Sequence, residues 1–347
     1  MKILAIETSC DDTGIAILEI LGDKKSPDFK ILANIIASQV EIGKKYGGVY
    51  PMMAKREHEK NLVPTLQTAL REANVLEKDI NLIAVTNGPG LEPCLWVGVN
   101  FAKDLAKKWN VPLIQVNHIE SHILVNFLPQ AVIPTKAGIQ FPAIALVVSG
   151  GHTQLILLKK IGSYKILGET RDDAAGECFD KCAKILGLSY PGGPIISKLA
   201  KKTDRLPMSI QLPRPMINTK DYDFSFSGLK TAVLYYHQKQ DKKTQKSKKY
   251  ITEMCAEIQQ AIIDVLIKKT IKSVKDYKAK TIILGGGVSA NAELRKQFLE
   301  KFENVIFPKP ELSTDNAVMT AITGYFHRKK TVAWEKIQAD ANLRIGK

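Results

Sequence analysis

Ile3-Leu4-Ala5-Ile6-Glu7-Thr8-Ser9-Cys10-Asp11-Asp12-Thr13-Gly14-Ile15-Ala16-Ile17-Leu18 sets two short apolar runs on either side of a small polar break. Runs this short, rich in β-branched residues, predict two strands joined by a tight hairpin. The pattern returns about 140 residues later, where Ala143 to Val148 is followed by Ser149-Gly150-Gly151-His152-Thr153 and then Gln154 to Leu158. Two copies of strand, polar turn and strand predict a duplicated α/β domain.

Around the first copy, Glu57 to Asn74 and Gly98 to Trp109 have helical periodicity. Leu82 to Thr86, ending in Asn87-Gly88-Pro89-Gly90, and Val111 to Val116 read as buried strands. Around the second, a helix is expected from Ala175 to Leu186, closed by Gly187, with a turn at Tyr190 to Pro194 and another helix from about Tyr250 to Val274. The strand Thr281 to Leu284 then opens into Gly285-Gly286-Gly287-Val288-Ser289-Ala290-Asn291 and a helix to about Phe302. Lys239 to Lys249 carries six lysines and one aspartate and is expected to be a solvated, mobile loop.

The chain has 347 residues and a formal charge of +15, from 50 Lys plus Arg against 35 Asp plus Glu. That surplus suits a polyanionic partner such as nucleic acid, or solubility alone. Five scattered cysteines, with no secretory leader ahead of them, point to the reduced cytoplasm. The uncharged stretch Ala137 to Leu158 is long enough to span a bilayer, but the polar turn at its centre makes it two buried strands, so no membrane is expected.

Short loops rich in Gly, Ser and Thr present backbone N–H groups to an anion. Either hairpin alone could be an ordinary turn, but a third glycine loop at 285–287, ending a strand and opening a helix, favours a nucleotide site. In Asn117-His118-Ile119-Glu120-Ser121-His122, a helix would put His118 and His122 on one face at the spacing needed to share a metal ion. Two histidines are too few. Ser313-Thr314-Asp315-Asn316, a polar turn before a helix, offers a carboxylate. Glu120 stands two residues after His118 and cannot serve as in a His-Glu-x-x-His protease. Cys178 and Cys182 are expected to pack as small apolar groups, with Asp180 beside the 190–194 turn as a candidate for holding a substrate hydroxyl or amine.

Together these motifs resemble the TsaD family, also called Gcp or Kae, over nearly the whole chain. Ile6 to Thr13, Asn87 to Leu91, His118 to His122, Ser149 to Thr153, Asp172 to Lys181, Tyr190 to Pro194, Asp223 to Lys230, Gly285 to Asn291 and Ser313 to Asn316 carry the likeness. The resemblance implies the duplicated actin-like (ASKHA, ribonuclease H-like) α/β fold, with a cleft between two lobes. The first lobe would be residues 1–116, with a C-terminal helix 317–347 packed back on it. The second would be residues 117–316, carrying the metal and most of the adenylate site.

The resemblance also implies transfer of the threonylcarbamoyl group of L-threonylcarbamoyl adenylate to N6 of adenosine 37, in tRNAs that read codons beginning with A, with release of AMP. His118, His122 and Asp315 would hold a divalent metal, iron in most members and zinc in some, and magnesium could accompany the nucleotide. Val147, Val148, Ser149, Gly150, Gly151, Asp180, Gly193 and Asn291 would bind the adenylate, and Ser9 and Asp11 would lie near the reacting carbonyl. Partner subunits similar to TsaB and TsaE would assemble with a bacterial member. Lys242, Lys243, Lys246, Lys248 and Lys249 are candidate tRNA contacts that come from charge alone.

The chain departs from the family at Asp12, at Tyr50-Pro51-Met52-Met53, at Glu92-Pro93-Cys94 and at Ser197, and Val132 to Gln140 looks inserted. The competing reading is a sugar- or acetate-type kinase of the same fold, which gives no reason for His118, His122 and Asp315 to converge.

Overall fold

Burial decides the central strands. Ile3 to Ile6 and Leu82 to Val85 are shielded on both faces, so they run as continuous apolar stretches rather than alternating ones. In the computed structural model, which describes residues 1–22, 27–128, 138–202 and 210–346, the chain forms two compact units, Met1–Ala131 with Pro308–Lys347 and Val132–Phe307.

The first unit holds β1 (Lys2–Glu7), β2 (Asp12–Gly22), β3 (Pro27–Ser38), β4 (Leu82–Gly88) and β5 (Leu113–Asn117) in the order β3-β2-β1-β4-β5. β1 pairs antiparallel with β2 and parallel with β4. In the second, β6 (Ala143–Val148), β7 (Thr153–Lys160), β8 (Ser163–Glu169), β9 (Thr281–Gly285) and β10 (Val305–Ile306) run β10-β9-β6-β7-β8. β6 pairs antiparallel with β7 and parallel with β9. Substituting β6 to β10 for β1 to β5 turns one strand order into the other, so the duplication read from the two hairpins extends to the whole sheet.

On one face of the first sheet, the helices Pro51–Ala73 and Glu92–Trp109 pack Leu62, Leu66, Val99 and Ala102 against Leu4, Ile6, Ile83 and Val85. Successive strand residues point to opposite faces, so Ala84 looks the other way. It meets Gly324 of the helix Ala317–His327, where a Cβ on the glycine would lie 2.6 Å from that of Ala84. In the second unit, the 30-residue helix Lys248–Tyr277 buries Ile258, Ile262 and Leu266 in a core shared with Leu146, Phe179 and Phe226.

Three expectations change. The helix after Asn316 ends at His327, and the remainder is irregular apart from one short turn at Trp334–Lys336. The units divide at 131/132 and 307/308 rather than at 116/117 and 316/317, so His118, His122 and Asp315 all fall in the first unit. The 239–249 segment is partly helical: Asp241 accepts hydrogen bonds from Lys243 N (2.8 Å) and Thr244 N (3.0 Å), capping a turn over Lys242–Gln245, and the long helix starts at Lys248. Of the inserted-looking stretch, residues 132–137 lie outside the described residues. No helix among the described residues is long and apolar enough to cross a membrane.

Candidate metal centre and glycine loops

β5 ends in Asn117, whose side chain accepts from Ile119 N (2.9 Å) and Glu120 N (3.1 Å) and so starts the helix His118–Leu124 at once. The cap fixes the helical phase that puts His118 and His122 on one side, with ring centroids 4.7 Å apart. A second asparagine cap, Asn316 accepting from Met319 N at 3.1 Å, sets Asp315 just ahead of the helix Ala317–His327. The Asp315 carboxylate meets both rings, with Oδ1 3.1 Å from His122 Nε2 and 3.6 Å from His118 Nε2. One ligand atom from each of the three residues lies within 4.8 Å of the others, and both histidines are buried. Two imidazoles and a carboxylate are a donor set that suits zinc or iron.

The first hairpin turn lies against this cluster. Ser9 Oγ is 3.1 Å from His118 Nδ1. Burial is the main effect on Asp11 and raises its carboxyl above the usual range, and it pushes Asp12 up to about 6. Burial works against charging His118, but Asp315 and Glu7 outweigh it and raise the imidazole to about 9. For His122 burial prevails and the shift is downward.

Two residues that sequence reasoning passed over complete the neighbourhood. Glu7, 1% exposed, accepts from Ser9 N at 2.8 Å and from Thr86 Oγ1 at 2.5 Å. His58, fully buried, spans the turn with Nδ1 2.7 Å from Thr13 Oγ1 and Nε2 3.0 Å from Cys10 O. The available signal for His58 was its phase, since it lies on the buried stripe of Ala54, Leu62, Leu66 and Ala69. For Glu7 it was an acid closing an otherwise apolar strand.

In the second unit the hairpin turn is closed by Ser149 N donating to His152 O at 2.8 Å, and Gly176 N reaches Ser149 O at 3.2 Å. A Cβ at Gly150 or Gly151 would meet nothing within 4 Å, so their backbone is open to a ligand. Gly286, at φ +83°, lies against Val148, which brings the third glycine loop to the same turn. Val147 and Val148 are buried in β6 and could offer a ligand only backbone. Asp180 accepts from Gly192 N at 2.6 Å, one residue before Gly193. Asn291 caps the helix Ala292–Lys301 and donates to Gln259 Oε1 at 2.8 Å. Cys178 and Cys182 are buried with their sulfurs 3.9 Å apart, as small apolar residues would be.

Residues 30–322 match the model of the TsaD family, tRNA N6-adenosine threonylcarbamoyltransferase. The chain is 46% identical to the tRNA N6-adenosine threonylcarbamoyltransferase of Thermosipho africanus, over 99% of this chain and 100% of that one. It is 42% identical to that of Bacillus subtilis, over 97% and 91%. Among solved structures it is similar in fold to HypF of T. kodakarensis (TM-score 0.55, 11% identity, 97% of this chain and 49% of that one). It is likewise similar to component A of (R)-2-hydroxyglutaryl-CoA dehydratase from Acidaminococcus fermentans (TM-score 0.52, 15% identity, 95% and 100%). Both likenesses concern the fold, the actin-like duplicated α/β architecture. With its full-length relatives and its ordered motifs, the chain belongs to the TsaD family of tRNA N6-adenosine threonylcarbamoyltransferases and is a transferase.

Proposed function

We propose that this protein transfers the threonylcarbamoyl group of L-threonylcarbamoyl adenylate to N6 of adenosine 37, in tRNAs that read codons beginning with A, and releases AMP. The observation that carries the reading is the convergence of His118, His122 and Asp315 beside the Ser9–Asp11 turn, in a chain of this family. Those three side chains would hold one divalent metal, iron in preference to zinc. Its contribution when bound is Lewis acidity toward the carbamate carbonyl or a phosphate oxygen.

The rest falls to the chain. N6 attacks the carbamoyl carbon, the bond from that carbon to the phosphate oxygen breaks, AMP leaves and the N6 proton must be accepted. Asp11 is suited to accept it, because burial raises its proton affinity toward the working pH. Ser9 Oγ, close to His118, would orient the carbonyl. The open backbone at Gly150 and Gly151, with Ser149, Asp180, Gly193 and Asn291 around the loops, would bind the adenylate, and its leaving phosphate would be met by N–H groups. TsaB-like and TsaE-like subunits would be the partners.

The test supplies preformed adenylate, tRNA and the partner subunits and scores modified adenosine by mass. Modification should require the chain, and Asp11→Asn should slow it about 100-fold with metal content unchanged. No modified adenosine under these conditions would overturn the function, and a full rate in Asp11→Asn would remove the base. ATP-dependent phosphorylation of a small alcohol or acid would instead favour the kinase.

The capped lysine turn is proposed as a tRNA contact. Lys242, Lys243, Lys246, Lys248 and Lys249 are all exposed, and Asp241, the acid among them, is engaged in capping. Changing the five to Gln should weaken tRNA binding and flatten its salt dependence by about 0.7–0.9 in log-log slope for each phosphate no longer neutralised. An unchanged slope would leave them as a solvated face.

A further inference from the structure

Glu7 is an ionisable side chain, 1% exposed, at the end of a central strand, and burial on that scale needs partners. It has them from four directions. Oε1 accepts from Ser9 N at 2.8 Å, and Oε2 accepts from Thr86 Oγ1 at 2.5 Å and from Thr320 Oγ1 at 3.1 Å. Oε2 also lies 3.5 Å from His118 Nδ1. The donors come from β1's own turn, from β4 and from the helix Ala317–His327, so the carboxylate is fixed before any ligand arrives.

We infer that Glu7 is a positioning residue for the metal centre: its carboxylate, 3.5 Å from Nδ1 of His118, and Ser9 Oγ at 3.1 Å keep the imidazole proton on Nδ1 and so leave Nε2, which faces Asp315, as the ligand nitrogen. A histidine binds metal through one nitrogen when the other donates its proton to an acceptor, which fixes tautomer and ring orientation together. His122 has no such support, since among the described residues its buried Nδ1 has no hydrogen-bond partner. His118 is therefore the pre-oriented ligand of the pair, and Glu7 acts through it without touching the substrate.

The inference rests on the metal reading proposed above, and the experiment separates the two. Metal-free wild type, Glu7→Gln, Thr320→Val and His118→Ala are titrated with Zn²⁺ against a competing chelator, and thermal midpoints are recorded alongside. Glu7→Gln keeps the shape but offers an amide in place of the carboxylate. It should weaken Zn²⁺ binding about 10- to 100-fold. Its transfer rate should recover at saturating metal. Thr320→Val, which removes one donor to Glu7, should weaken binding in the same direction by less, and it serves as the test if Glu7→Gln does not fold.

Wild-type affinity in both Glu7→Gln and Thr320→Val, with binding lost in His118→Ala, would overturn the positioning role alone. Wild-type affinity in His118→Ala as well would overturn the metal centre. A Glu7→Gln protein that binds Zn²⁺ normally but transfers slowly would also overturn the positioning role, because Glu7 would then act on the reaction directly.

Discussion

His118→Ala and Asp315→Asn are each expected to leave a folded protein that purifies with little or no metal and transfers threonylcarbamoyl on the order of 1000-fold more slowly than wild type. The two variants remove different things. His118→Ala deletes one nitrogen ligand and leaves His122 and Asp315. Asp315→Asn keeps both imidazoles and the side-chain volume but loses the negative charge that Oδ1 places 3.1 and 3.6 Å from their Nε2 atoms. A two-ligand remnant cannot compete for metal with buffer and chelators, so metal loss should be common to both. Stability should separate them. His118 is buried and its loss leaves the buried carboxylate of Glu7 without one of its four partners, whereas the Asp315 side chain is 22% exposed and its amide can rehydrate. His118→Ala should therefore melt lower than Asp315→Asn while the two match in metal content and rate. Metal by elemental analysis, transfer rate by mass and melting by circular dichroism decide it. Wild-type metal in both variants would end the reading of the site. Metal-free variants with undiminished transfer would make the cluster structural.

The centre was half legible in the sequence because its two histidines are local. A cap followed by helical spacing puts His118 and His122 together within a single turn, and nothing distant has to be known. Glu7 was harder to read for the opposite reason: Thr86 and Thr320, which help fix it, stand 79 and 313 residues away, and the local pattern shows only an acid closing an apolar strand. The strands divide in the same way. β1, β4, β6 and β9 are buried on both faces and read as apolar runs. β3 and β8, at sheet edges with half-exposed faces, mix polar and apolar residues and show no clear period. β10 is two residues long, too short for any pattern. The return of the C-terminal segment to the first unit was expected, and only the boundaries move, to 131/132 and 307/308: the helix Ala317–His327 covers the sheet built from residues 2–117, and the wider first unit takes in Asp315 with His118.

Gly286→Ala should damage the second unit severely for a single added methyl group. The residue sits at φ +83° and ψ 160°, a region that only glycine occupies without strain. Its new Cβ would also clash with the backbone of Val148, lying 2.7 Å from the carbonyl carbon, 3.0 Å from the nitrogen and closer still to the oxygen. Neither side can yield cheaply. Val148 is the last residue of β6, paired with Thr153 across the hairpin, and Gly286 follows β9, which pairs with β6 in parallel. Backbone strain of about 1–3 kcal/mol adds to a clash of similar size. At roughly 2–4 °C per kcal/mol for a unit of this length, the melting temperature should fall by about 10 °C. Relief of the clash must push the Gly285–Asn291 loop away from the Ser149–Thr153 turn, the pair proposed to hold the adenylate. Below the melting point the variant should then show a raised KM for adenylate with its metal content intact, the reverse of the His118→Ala signature. Unchanged melting would mean that the loop can shift without cost. A lowered melting point with an unchanged KM would mean that the adenylate does not depend on the spacing of these two loops.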